Sequence, residues 1–255
     1  MKCTFRIRLH RFSTQILPKP LETPTHVLRD YQRECIDTSL RRLKEGVRRQ
    51  AVSLPVGSGK TVIFANLIKA LQTPETCPTA TKALVLAHRT ELLSQAAAQI
   101  RRVMPDCKIL LEQGRKMPTV KEINECDIVV ASVPTLGHAT SKRVDRFDPN
   151  LFKCIIIDEA HHASATTYHR LLKKIGALSD DSHILVWGCS ATLRRHDGRS
   201  LDPIFQSVVY HKSFLEMIQK EYLCNLLITT VKTSVVLTDV QNVAGDSMQP
   251  NSPIA

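Results

Sequence analysis

Leu54-Pro55-Val56-Gly57-Ser58-Gly59-Lys60-Thr61 stands between a short apolar run, Gln50 to Leu54, and a longer one, Val62 to Leu71. The first run reads as the end of a buried strand and the second as a helix. A Gly-rich turn ending in Gly-Lys-Thr between strand and helix is a phosphate loop. Gly57 and Gly59 let the backbone curl so that successive N–H groups face phosphate oxygens. The helix that starts near Lys60 adds its positive end. Lys60 is placed to reach β- and γ-phosphates, and the Thr61 hydroxyl to ligate Mg²⁺. The loop from Pro55 and Val56 through Thr61 is therefore the candidate nucleotide cradle. The general pattern opens with glycine, and here Leu54 stands in that place.

The second chemical signal is Ile155-Ile156-Ile157-Asp158-Glu159-Ala160-His161-His162. Three β-branched residues deliver Asp158 at the end of a buried strand. Asp158 can hold Mg²⁺ opposite Thr61, and Glu159 can orient and polarise an attacking water. His161 and His162 have no third ligand at zinc spacing, so zinc is not expected.

Between and around these motifs the chain alternates apolar strands with amphipathic helices. Ile36, Leu40 and Leu43 predict a helix that stops near Gly46. Thr73 to Thr81 reads as a loop. Strands are expected at Ala83–Ala87, Lys108–Leu111, Asp127–Ala131, Cys154–Asp158 and His183–Gly188, with a last strand-like run at Asn225–Lys232. Helices are expected at Glu91–Val103, with Leu93, Ala96 and Ile100 inward, at Thr166–Ile175, and from Ser213 to Tyr222. Lys142–Asn150 is a charged loop, and the polar tail from Val240 reads as disordered. The pattern is α/β: a doubly wound parallel sheet covered on both faces. Such sheets bind ligands at the carboxyl ends of their strands, where both motifs lie.

The 255 residues include 43% hydrophobic and 23% charged residues, enough for a globular core. A net charge of +11 suggests a polyanionic partner. No apolar run approaches membrane-spanning length, so no membrane partner is expected. None of the eight cysteines forms a C-x-x-C pair, which points to a reducing compartment without disulfides or zinc. Residues 1–21 carry Lys2, Arg6, Arg8, Arg11 and Lys19 with no acid, and a helix there aligns Phe5, Leu9, Phe12 and Ile16. That is the composition of a mitochondrial transit peptide, which predicts the matrix; a basic arm in a nuclear or cytoplasmic protein is the alternative.

The two motifs together resemble superfamily-two helicases of the DEAD/DEAH-box type, and further motifs of that family follow in order from Leu28 to Lys232. Leu28-Arg29-Asp30-Tyr31-Gln32 resembles the adenine-reading segment, which implies base contacts for Gln32 and Arg29. Val85 to Leu92 resembles a backbone-contacting motif, which implies nucleic-acid contacts for Arg89 and Thr90. Ser132-Val133-Pro134-Thr135-Leu136 resembles the next, which implies one for Thr135. Ser190-Ala191-Thr192 resembles the coupling motif, with Ser190 and Thr192 in that role. The catalytic set implied is Lys60, Asp158, Glu159 and His161. Leu54-Pro55, His88-Arg89 and His161-His162 look like the branch holding restriction-enzyme motor subunits and fungal mitochondrial branched-DNA helicases.

The resemblance implies a RecA-like fold and a motor that couples hydrolysis of ATP, with Mg²⁺, to movement on duplex or branched DNA. RNA stays open as the substrate. It implies residues 28–223 as the ATP-binding domain and 224–255 as the start of a connection. It also implies a second RecA-like domain carrying arginine fingers. No Gln-x-x-Gly-Arg-x-x-Arg run occurs here, and too few residues follow Thr192 for another ordinary domain. The chain thus reads as a first motor domain. The alternative is a module that binds ATP and nucleic acid with negligible hydrolysis.

Overall fold

Seven parallel strands form the sheet that organises the computed structural model, in the order β3-β4-β2-β5-β6-β1-β7. The structure describes residues 27–114, 117–138, 140–162, 166–191, 204–225, 240–243 and 247–250. The strands are β1 Arg49–Ser53, β2 Lys82–Ala87, β3 Ile109–Glu112, β4 Ile128–Ser132, β5 Phe152–Asp158, β6 Leu185–Ser190 and β7 Ser207–His211. Helices α1 Asp30–Lys44, α2 Lys60–Ala70, α3 Thr90–Val103, α4 Val120–Glu125, α5 Val133–Leu136, α6 Thr166–Lys174 and α7 Phe214–Gln219 connect or flank them.

Strand alternation sorts the core into two layers. Val85, Val130, Cys154, Ile156 and Trp187 pack on one side with Ile63, Phe64 and Leu67 of α2 and Leu93 and Ile100 of α3. Leu84, Leu86, Ile155, Ile157 and Val186 pack on the other with Tyr168, Leu171 and Leu172 of α6. Apolar residues on both faces of the central strands explain their unbroken hydrophobic runs. The expected doubly wound architecture is what forms.

A buried polar chain fixes α1 against the sheet. The Trp187 indole donates to Ser39 Oγ at 3.0 Å, and the Gln50 amide donates to the Ser39 carbonyl at 2.9 Å. This ties α1 to β1 and β6, while Tyr31 and Gln32 at its amino end bond to the loop that follows β1.

The structure adds elements that the sequence pattern did not show. Edge strand β7 pairs in parallel with β1, but only Tyr210 of its five residues is buried. An edge strand needs little apolar patterning, so its signal is weak. Six-residue α4 buries only Ile123 and is held by a capping box between Thr119 and Glu122. The charged loop Lys142–Asn150 contains one short 3-10 turn, Arg143–Arg146, and runs into a second, Pro149–Leu151. Against the expected disorder after Val240, β8 Val240–Val243 pairs antiparallel with β9 Ser247–Pro250. Composition reports the cost of ordering, whereas a hairpin pairs residues so near in sequence that little loop entropy opposes it. The expected strand-like run over 226–232 lies outside the described residues, as does the basic segment 1–21. Among the described residues, no helix is long and apolar enough to cross a membrane.

Candidate nucleotide site

Parallel register brings distant motifs to one edge. Ser53 pairs with Ser190, Asp158 with Cys189, and Ala87 with Ser132. The loop after β1, the turn after β5 and the exits of β6, β2 and β4 therefore share the carboxyl end of the sheet.

The loop after β1 is fixed by its glycines and by its neighbours. Gly57 and Gly59 adopt φ of +83° and +73°, a region that a Cβ disfavours. Leu54 is fully buried, and its N–H donates to the Ser190 carbonyl at 2.9 Å. An apolar residue there lets the loop leave the sheet through the core. Ser58 is 1% exposed, its hydroxyl has no hydrogen-bond partner, and its carbonyl accepts from Tyr31 Oη at 2.6 Å and Gln32 Nε2 at 3.2 Å. Gln32 Oε1 accepts from the Arg29 N–H at 3.1 Å. The Gln32 amide thus braces the loop in this structure. Pro55 is buried, Val56 is exposed, and Lys60 and Thr61 open α2 half-buried.

Opposite this loop, Asp158 is 9% exposed at the end of β5. Its Oδ1 accepts from the Glu159 N–H at 3.0 Å and lies 3.6 Å from Cys189 Sγ. Burial raises the Asp158 carboxyl above the ordinary carboxylate range, and the Glu159 charge adds to this; Lys60 acts in the opposite direction. Glu159 takes φ of +52°, rare for a side chain of this kind. The turn places Glu159 Oε1 4.0 Å from Lys60 Nζ and Oε2 3.2 Å from His161 Nδ1. That same His161 nitrogen lies 2.9 Å from Ser190 Oγ. A continuous polar line runs from Lys60 through Glu159 and His161 to Ser190. It joins three separate motifs around a carboxylate pair.

Residues 25–195 match the family model described as type III restriction enzyme, res subunit. The chain belongs to this family. Two curated fungal proteins are similar to it. The Saccharomyces cerevisiae protein named "Putative ATP-dependent helicase IRC3" is 38% identical over 245 residues, 95% of this chain and 34% of its own length. The Schizosaccharomyces pombe protein named "Putative mitochondrial ATP-dependent helicase irc3" is 37% identical over 214 residues, 83% of this chain and 34% of its own. The chain spans about a third of the length of these relatives. Its fold matches the helicase domain of Pyrococcus furiosus Hef, with TM-score 0.59 and 21% identity over 75% of this chain and 41% of that one.

The res-subunit fold also locates the remaining predicted residues. Exposed Arg89 precedes α3, which Thr90 opens just past β2, and half-buried Thr135 lies in α5 just past β4. These are neighbouring strands, so Arg89 and Thr135 share one stretch of the carboxyl edge, on the β3 side of Asp158. Ser190 joins the Lys60–Glu159–His161 line directly, whereas Thr192 lies outside the described residues. Exposed Arg29 donates from its guanidinium to the Tyr222 carbonyl at 2.8 Å. Sequence reasoning did not single out Tyr31, Cys189 or Tyr222 as site neighbours. Tyr31 adjoins Gln32 and Cys189 adjoins Ser190, so adjacency was the available signal.

Proposed function

We propose that this domain binds ATP with Mg²⁺ between the Pro55–Thr61 loop and the Asp158–Glu159 turn, and hydrolyses it to drive movement on duplex or branched DNA. The observation that carries this reading is the line Lys60–Glu159–His161–Ser190 beside a Gly-rich helix N-terminus. An orphaned Ser58 hydroxyl inside the loop and a desolvated Asp158 fit a site meant to receive phosphate and a divalent cation. Thr61 and Asp158 would hold Mg²⁺. When bound, the metal neutralises phosphate charge and orients the terminal phosphoryl group.

The protein's own groups have separable tasks in this reading. Lys60 leaves its weak pairing with Glu159 for the terminal phosphates. Glu159 is then free to polarise water, with His161 holding its other oxygen. The base lies beside Arg29 and Gln32, the segment that resembles the family's adenine reader. Ser190 connects the site to the strand exits where Arg89, Thr90 and Thr135 face a nucleic-acid backbone, with Thr192 assigned the same coupling role. Such contacts orient the polymer without reading sequence. The names of both fungal relatives support ATP-driven helicase action, the name of the Schizosaccharomyces pombe protein supports a mitochondrial setting, and the basic amphipathic segment at residues 1–21 supports the matrix. A second RecA-like domain is the proposed partner in turnover.

The test is calorimetric titration of Mg·ATP into the wild type and Lys60→Ala. Loss of a charge-assisted contact predicts affinity lower by about 2–3 kcal/mol. Unchanged affinity in a folded variant would remove Lys60 from the site.

A further inference from the structure

The turn after α7 packs onto the nucleotide elements in three ways. The Tyr222 carbonyl accepts from the Arg29 guanidinium at 2.8 Å. The Tyr222 ring lies 4.7 Å, centroid to centroid, from the Tyr31 ring, tilted by 58°. Leu223 Cδ2 lies 3.2 Å from the point that a Cβ at Gly57 would occupy. The turn itself is well defined: the Tyr222 and Leu223 N–H groups both donate to the Met217 carbonyl, at 2.9 and 3.1 Å. These residues lie beyond 25–195, the part matched by the family model.

Gln32 is largely spoken for, since its amide contacts Arg29, Tyr31 and Ser58 and is 7% exposed. Arg29 is exposed and Tyr222 half-exposed, so both present surface beside it. Tyr222 lines two clefts, of about 600 and about 350 Å³, the smaller also lined by Asp30, Tyr31 and Glu34. A half-exposed tyrosine whose own carbonyl holds a guanidinium offers a stacking platform for a planar heterocycle.

We propose that Tyr222 is a wall of the nucleobase subsite: its ring stacks on the base of the bound nucleotide, and its carbonyl holds Arg29 beside that base. This rests on the reading of the Pro55–Thr61 loop as a nucleotide site. Gln32 and Tyr31 then tie the base subsite to the phosphate loop through the Ser58 carbonyl.

The experiment titrates Mg·ATP and Mg·tripolyphosphate, which has no base, into the wild-type chain, Tyr222→Ala and Tyr222→Phe, with folding checked by circular dichroism. Base–aromatic stacking predicts ATP binding about tenfold weaker in Tyr222→Ala. Tyr222→Phe should retain wild-type affinity, and tripolyphosphate should bind all three alike. Equal losses for ATP and tripolyphosphate would make the turn a support for the phosphate loop and overturn the proposal. So would a Tyr222→Ala that binds ATP normally, or a Tyr222→Phe as weak as the alanine variant. If the wild type binds neither ligand, the nucleotide-site reading itself falls, and this proposal with it.

Discussion

Gly59→Ala tests the physical account of the phosphate loop. Gly59 has φ of +73°, and a Cβ there would lie 2.8 Å from Gln32 Nε2. The left-handed conformation costs alanine roughly 1–2 kcal/mol. Displacing Gln32 removes its bond to the Ser58 carbonyl, a net loss of about 1 kcal/mol. Gly46→Ala is the control: Gly46 has φ of +87° but nothing within 4 Å of its Cβ position, so only the strain applies. Gly59→Ala should therefore cost about 1 kcal/mol more than Gly46→Ala. For a domain of this size that is a melting temperature lower by about 2–4 °C. On a Gln32→Ala background the excess should vanish, because the clash is gone and the pair is coupled. Differential scanning calorimetry of the four variants, with Mg·ATP titrations on the same samples, measures both consequences. Gly59→Ala should lose ATP affinity and Gly46→Ala should not. Equal destabilisation with ATP binding intact in both would refute the assignment of Gln32 as the brace of this loop.

Asp158→Asn should stabilise the unliganded protein by about 0.5–2 kcal/mol at neutral pH while abolishing Mg²⁺-dependent turnover. The folded pKa of Asp158 is raised, so its stability contribution is full below the unfolded value near 3.8 and is lost as pH rises through the folded value. The gain on substitution should accordingly shrink as pH falls through that window, and a lower melting temperature at pH 7 would contradict the burial argument. Nucleic-acid binding should be indifferent to sequence and fall steeply with salt, and Arg89→Ala should reduce the log–log salt slope by about one; anisotropy titrations at several ionic strengths measure this. ATP turnover by residues 1–255 alone should be slow, because their sequence holds no Gln-x-x-Gly-Arg-x-x-Arg run, and an arginine finger is worth roughly 10³–10⁵ in rate. DNA-stimulated turnover on the order of 1 s⁻¹ that survives Glu159→Gln would remove Glu159 from the water-polarising role.

The central strands were readable because burial on both faces leaves long apolar runs. Ile155-Ile156-Ile157 and Ala83 to Ala87 could not be amphipathic, and each ends at a motif. The site was readable for a related reason: parallel register makes the strand end, not the sequence distance, decide what meets. Ser53 and Ser190 are far apart in the chain and opposite in the sheet. What escaped notice depends on contacts without local pattern. β7 is an edge strand, and α4 is held by a cap more than by its core. The double use of Gln32, and the approach of Tyr222 to Arg29, arise only after α1 and α7 have docked.

The end of β5 carries two costs at once, and the strand before it explains how both are sustained. Asp158 is desolvated, and Glu159 holds a left-handed backbone that costs of order 1–3 kcal/mol for a residue with a side chain. Relaxing either would turn the carboxylates away from Lys60 and His161. Ile155, Ile156 and Ile157 are each 0% exposed, locked between β2 and β6 in parallel register on both sides. Burial of one such side chain is worth about 1.5–3 kcal/mol, so the three together exceed the local strain. The strand can then project a strained turn without melting its own end. This accounts for the form of the sequence signal: an Asp-Glu pair positions chemistry only when a buried, doubly paired strand delivers it.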